Sequence, residues 1–170
     1  QALRLEKSVK FIYTIPNFQN PMGVTLSAAR RRRMYDLAEQ YDVMILEDDP
    51  YGRLRYSGTP VDAIKTLDRS ERVIYTGSFS KIIAPGIRVA YLCAPKELMA
   101  KMVVAKQCVD VHTNMLSQVL VYEYLTRYDL DAHIRQCCDH YRVKRDAMLM
   151  AIERYFPAEV AVTRPEGGLF

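Results

Sequence analysis

The sequence has no Cys-x-x-Cys pair and no cysteine or histidine spacing that would hold a metal. Its four cysteines, Cys93, Cys108, Cys137 and Cys138, read as buried or idle thiols of a reducing cytoplasm, not as a disulfide framework. Cys137 and Cys138 are adjacent in a helical pattern and point about 100° apart. His112, His133 and His140 read as ordinary surface or half-buried side chains. No window approaches the ~18 consecutive apolar residues of a membrane span, and no signal peptide is visible. An excess of one charge is also missing. Twenty-four Lys and Arg against 20 Asp and Glu leave a formal net charge of +4, too mild to imply a nucleic-acid partner. The basic run Arg30–Arg33 spreads over about 300° of a helix and cannot form one stripe. It reads as solvated, with ion pairs to Asp36 or Glu39. Internal repeats and low-complexity segments are absent.

What is present is an ordinary globular composition, 49% hydrophobic and 26% charged, with enough apolar material for one sizeable core. Val9–Thr14 reads as a short strand. A structured loop follows, and Ser27 caps a helix that runs to about Tyr41. The unbroken apolar run Val43–Leu46 suits a strand covered on both faces. Arg72–Thr76 and Arg88–Ala94 read as two more strands, and Glu159–Thr163 as a further one. Helical periodicity covers about 96–108, 115–127 and 130–156. The expected fold class is α/β, a mainly parallel sheet flanked by helices. The chain begins Gln1-Ala2-Leu3 and stops at "RPEGGLF", where Gly167-Gly168 reads as a turn feeding a new strand. It is therefore expected to be an incomplete fragment of a longer protein.

Three polar clusters fall just past the carboxyl ends of strands, where open α/β sheets gather ligands. In "TGSFSKIIAPGIR", Lys81 leaves a buried strand, and a desolvated amine is free to attack a carbonyl. Ser78, Ser80 and Arg88 could hold a dianionic phosphate, with Pro85 and Gly86 turning the arginine back. In "EDDPY", strand alternation sends Glu47 and Asp49 to one side and Asp48 to the other. Three carboxylates there are costly unless something cationic meets them. Asp48 and Tyr51 could converge on one ligand. In "NPMG", Asn20 is held extended by Pro21 and can donate its amide to a ligand oxygen. Taken singly, each has a plain alternative: a surface lysine beside a turn, a solvated acidic turn, an ordinary Asn-Pro turn.

Taken in order, Asn-Pro-x-Gly, Asp-x-x-Tyr, Ser-x-Ser-Lys and Arg resemble the fold-type I pyridoxal phosphate (PLP) enzymes, the class I/II aminotransferases of the aspartate-aminotransferase superfamily. "YTIPNFQNPMGVTLS", "ILEDDPYGRLRY", "GSFSKIIAPGIRVAY" and "RPEGGLF" are most similar to the 2-aminoadipate and aromatic aminotransferase group. The resemblance covers about Phe11 to Phe170. It implies that Lys81 is the Schiff-base lysine and that Asp48 pairs with the pyridine nitrogen. It implies Tyr51 and Asn20 as donors to the cofactor's 3′-oxygen, and Ser78, Arg88 and Ser80 as phosphate ligands. Thr113-Asn114 matches where the family often presents residues to a partner subunit's site. Residues 1–157 would be part of the large PLP-binding domain, including its long C-terminal helix. Residues 158–170 would begin the small C-terminal domain. The implied substrates are an aromatic or 2-aminoadipate-like amino acid and a 2-oxo acid, in a cytoplasmic homodimer with no nucleic-acid or membrane partner. The family's carboxylate-binding arginine would lie beyond Phe170, and its phosphate loop and stacking ring before Gln1. The segment alone is expected to have little or no turnover.

Two rivals follow from the same residues. Ser78-Phe79-Ser80-Lys81 also matches the S-x-x-K of penicillin-binding enzymes, but Ser-Asp-Asn and Lys-Thr-Gly do not occur. An aminotransferase-like, PLP-sensing domain of a transcription regulator would carry the same cofactor residues. "EDDPYGRLRY" and "VDVHTNMLSQ" look more like the free-standing enzymes.

Overall fold

The computed structural model describes residues 2–6 and 8–170. In chain order the elements are α1 (Ala2–Leu5), β1 (Phe11–Thr14), α2 (Ala28–Gln40), β2 (Met44–Asp48), β3 (Val73–Ser78), β4 (Ala90–Cys93), α3 (Lys96–Asp110), α4 (Met115–Arg127) and α5 (Leu130–Tyr155). The sheet runs β1-β2-β3-β4. β1, β2 and β3 are parallel to one another, and β4 adds an antiparallel edge. The mainly parallel sheet flanked by helices thus matches the expected fold class. Among the described residues, no helix is long and apolar enough to cross a membrane.

α2 makes the crossover between β1 and β2. Ser27 caps it, its hydroxyl accepting from the Arg30 N–H at 3.4 Å. Its buried Tyr35 and Ala38 pack on Ile45 of β2, Val73 of β3 and Ile64. A second core joins Leu54 and Ile82, from the loops after β2 and β3, to Ile134 and Cys138 of α5. That second core fixes both loops to one long helix.

The strand ends lie further along the chain than the apolar runs suggest. β2 continues through Glu47 and Asp48 because Glu47 is fully buried rather than solvated. Its two carboxylate oxygens accept from the Ile64 and Lys65 N–H groups at 2.8 Å each, capping a short 3₁₀ turn over Ile64–Leu67. β3 likewise continues to Ser78, because Gly77 and Ser78 pair with Tyr91 and Ala90.

Two expectations are corrected. Arg31 is not solvated: it is 1% exposed. Its guanidinium donates to the carbonyls of Leu26 (2.9 Å), Asp62 (3.0 Å), Pro16 (3.2 Å) and Val61 (3.3 Å), and to Asn17 Oδ1 (2.6 Å). A five-donor fork can satisfy that many loop acceptors in one buried place. Arg30, Arg32 and Arg33 are exposed. Glu39 accepts from the Tyr35 and Ser70 hydroxyls instead of pairing with the run. Glu159–Thr163 is irregular rather than a strand, since it pairs with no strand among the described residues.

The chain returns to the body at Gly167, which bridges Arg55, while the Tyr56 and Ser57 N–H groups donate to the Glu166 carbonyl. Gly168 has φ +76°, and a Cβ there would lie 2.4 Å from Phe18 Cβ. Gly168→Ala is therefore expected to destabilise the protein by about 2 kcal/mol. Urea unfolding of the full-length protein checks this; an unchanged midpoint would contradict the packing.

Candidate functional site

β2 and β3 run in parallel, so their carboxyl ends open on the same edge of the sheet. Asp48 is the last residue of β2 and pairs in register with Thr76 of β3. Its Oδ1 accepts from the Thr76 hydroxyl at 2.9 Å and its Oδ2 from the Tyr13 hydroxyl at 2.7 Å. One donor thus comes from each neighbouring strand. The hydrogen bond to Asp48, with burial and the carboxylate's charge behind it, pushes the Tyr13 phenol up to about 12. Tyr13 therefore keeps its proton, and its role as donor, through the neutral range.

Asp49 turns to the opposite side, as alternation requires. It accepts from Asn17 Nδ2 (3.0 Å), the Gly52 N–H (3.0 Å) and the Tyr75 hydroxyl (3.2 Å). The three carboxylates are met mainly by neutral donors, not by the cation the sequence seemed to require. Backbone and hydroxyl donors satisfy a carboxylate without introducing a second buried charge. Arg31 reaches Asp49 through Asn17, which accepts from the arginine and donates to the carboxylate. Burial pushes the Glu47 carboxyl above its ordinary value, while the Ile64 and Lys65 N–H groups pull it back.

The turn after Asp49 is closed. A Cβ on Gly52 would lie 2.4 Å from Asp49 Oδ2. This turn buries the Tyr51 ring, which meets the Phe170 ring edge to face with centroids 5.6 Å apart. Among the described residues, no hydrogen bond joins Asp48 and Tyr51.

At the end of β3, Ser78 Oγ accepts from the Ser80 N–H at 3.1 Å, and Arg88 Nη1 donates to Ser80 Oγ at 3.3 Å. The same nitrogen donates to the Pro85 carbonyl at 3.3 Å. Arg88 closes the 3₁₀ turn Pro85–Ile87 in a left-handed conformation, φ 52° and ψ 34°, which folds its side chain back over the serines. Lys81 follows directly, partly exposed, with Ile82 buried behind it. Asn20 is exposed in the loop after β1 and joined to Pro21 by a cis bond. Among the described residues, the Lys81 amine, the Asn20 side-chain amide and the Tyr51 hydroxyl have no hydrogen-bond partner.

The structure therefore gathers Ser78, Ser80 and Arg88 into one hydrogen-bonded group, one strand away from Asp48. Among the described residues, no hydrogen bond joins Lys81, Asn20 and the Tyr51 hydroxyl to one another. Thr113 and Asn114 line a cleft of about 1100 Å³ with Thr76, Arg88 and Tyr91 of their own chain. The Asn114 side chain caps α4, its Oδ1 accepting from the Ser117 N–H at 3.0 Å. Tyr13 and Thr76, the two donors to Asp48, were not singled out from the sequence. Both look like ordinary strand residues until the register is known.

Two hydroxyls and a guanidinium at one point suit a dianion. A carboxylate one strand away suits a cation, and an unpaired amine nearby suits a carbonyl. The comparisons with known proteins agree with this chemistry. The model of the family described as aminotransferase class I and II matches residues 2–170. "Aromatic-amino-acid aminotransferase 1" of Thermococcus litoralis is 51% identical over 96% of this chain and 39% of its own. The crystal structure of Pyrococcus horikoshii kynurenine aminotransferase, in complex with PMP, superposes with TM-score 0.92 at 48% identity, over 94% of this chain and 40% of that one. The α-aminoadipate aminotransferase LysN of Thermus thermophilus, complexed with N-(5′-phosphopyridoxyl)-L-leucine, gives TM-score 0.88 at 40% identity, over 93% and 41%. A regulator of Bacillus subtilis named YisV is less similar, 32% identical over 95% of this chain and 33% of its own. The chain spans about two fifths of the length of the aminotransferases it matches. With its whole described length inside one family match and its strand-end residues grouped as above, the chain belongs to the aminotransferase class I and II family.

Proposed function

We propose that the parent protein is a PLP-dependent aminotransferase. It moves the amino group of an aromatic or 2-aminoadipate-like amino acid to a 2-oxo acid such as 2-oxoglutarate. The observation that carries this reading is the hydrogen-bonded Ser78–Ser80–Arg88 group, with Lys81 next in the chain and Asp48 at the end of the adjacent strand. The donor set fits the cofactor. Ser78, Ser80 and Arg88 would hold its phosphate, Asp48 its ring nitrogen, and Asn20 and Tyr51 its ring oxygen. Lys81 would bond its aldehyde carbon.

When bound, PLP supplies the electron sink for negative charge developing at the substrate α-carbon. The rest is the work of this chain. Arg88 presents a planar fork that can bind two phosphate oxygens together. Asp48, held on both oxygens, keeps a negative charge fixed where a protonated ring nitrogen would sit. Lys81, as a free amine, would serve as the base that takes the proton from the substrate α-carbon.

Residues 1–157 are read as part of the large cofactor domain, ending with α5. Residues 158–170 are read as the start of a small C-terminal domain, in keeping with the irregular chain after Tyr155. The parent protein is read as a homodimer, the state that the resemblance to this family implies. The free cysteines support a reducing, cytoplasmic setting.

The test uses the full-length protein. After loading with PLP and reduction with borohydride, peptide mapping should find the cofactor fixed to Lys81. A screen of amino acids should then show transamination with aromatic or 2-aminoadipate-like donors. Labelling at Lys81 without any transamination would overturn the enzyme reading in favour of a sensor. Labelling elsewhere would overturn the site.

A further inference from the structure

Asp48 is gripped from both sides, and the two grips differ. Thr76 is its register partner on β3, and its hydroxyl is partly buried between strands. Tyr13 comes from β1, 35 residues away in the chain, and spans from the register position of Leu46 to the carboxylate. In a parallel sheet, register partners share a face, and so do alternate residues along one strand. Tyr13, Leu46, Asp48, Ile74 and Thr76 therefore lie on one face of the sheet.

Tyr13 belongs to neither hydrophobic core of the described residues, and its hydroxyl is engaged by Asp48. At 2.7 Å from Oδ2, that hydroxyl makes a short charge-assisted hydrogen bond. A carboxylate has about four lone-pair sites, so two donors leave room for a third. With one oxygen held by each neighbouring strand, the carboxylate plane can no longer turn freely about χ2. The third donor then meets a fixed acceptor. The phenol is also a neutral donor, so it orients Asp48 without competing as a cation.

We infer that Tyr13 is a positioning residue of the cofactor site, holding the Asp48 carboxylate in the orientation that receives the ring nitrogen of PLP; this rests on the reading of Asp48 given above. Tyr51 is the other tyrosine of the cluster, but no hydrogen bond joins it to Asp48 among the described residues. Tyr13 is the donor that reaches the acid.

The experiment is a double-mutant cycle in the full-length protein, with Tyr13→Phe, Asp48→Asn and the pair. Tyr13→Phe removes only the hydroxyl. It is expected to weaken PLP binding, followed by absorbance titration, by about tenfold, the size of one hydrogen bond to a charged group. kcat should fall by a similar factor, while KM for the amino acid stays within about twofold, because Asp48 faces the cofactor and not the substrate. The thermal midpoint should fall less in the PLP-free protein than in the PLP-loaded one. In the Asp48→Asn background, Tyr13→Phe should have almost no further effect. An equal loss in both backgrounds, or a midpoint lowered equally with and without PLP, would make Tyr13 merely structural and overturn the inference. Unchanged PLP affinity in Tyr13→Phe alone, with Asp48→Asn strongly impaired, would overturn it while leaving the site reading intact. If Asp48→Asn itself binds PLP and turns over normally, the site reading fails first.

Discussion

Lys81→Ala in the full-length protein is expected to abolish covalent retention of PLP and to lower transamination by at least about 10³-fold. The substitution removes two functions at once. On the proposed reading, the amine that would bond the cofactor is lost, and so is the base that would move the α-proton, a role worth roughly 10²–10⁴ alone. The fold should not respond. The Lys81 side chain is partly exposed and makes no hydrogen bond or ion pair among the described residues. The packing at this turn comes from Ile82, which is buried against Leu54, Ile134 and Cys138. Borohydride reduction, the visible absorbance of the loaded protein and a coupled assay measure the three consequences. If the variant kept both reducible cofactor and amino-group exchange, Lys81 could not be the residue that bonds it.

Asp48→Asn is expected to lower kcat by about 10²–10³, the usual cost of removing one preorganised electrostatic partner from a buried site. This substitution is nearly isosteric. The hydroxyls of Tyr13 and Thr76 can rotate to accept from an amide as well as donate to its oxygen, so the strand ends stay satisfied. What disappears is the negative charge that, on the proposed reading, would face the ring nitrogen. The effect should appear in kcat and in PLP affinity, with a thermal midpoint close to that of the parent. A variant within about threefold of the parent in kcat would show that the ring nitrogen is held by something else.

The two substitutions probe residues of opposite character. Lys81 is free of local partners, and its chemistry depends on what binds beside it. Asp48 is held by its neighbours before anything binds. Both were legible as candidates from the order of short motifs along the chain. What made them stand out was residue type at a strand end, a local property. The short strands, the Ser27 cap and the helices over 115–127 and 130–156 were legible for the same reason: period and capping are written within a few residues.

Other features were invisible or misread. Arg31 sits in a run of four arginines that looks solvated throughout, yet the fold buries that one and leaves the others exposed. Only the loops at Pro16, Leu26 and Val61–Asp62, brought together over α2, supply the carbonyls that make its burial tolerable. Glu47 looked like part of an acidic turn, but the N–H groups that accommodate it come from Ile64 and Lys65. Glu159–Thr163 has the composition of a strand and lacks a strand to pair with among the described residues.

The amino-acid sequence by itself determined which chemical groups stand at the strand ends, in what order, and hence the family: Asn20, Asp48, Tyr51, Ser78, Lys81 and Arg88 are set by local pattern. The tertiary structure alone decided that Tyr13 and Thr76 grip Asp48 from both flanks and that Arg88 returns to Ser80. Strand register and loop closure choose those partners. Both depend on which side chains can be buried together, which no short window of the chain records.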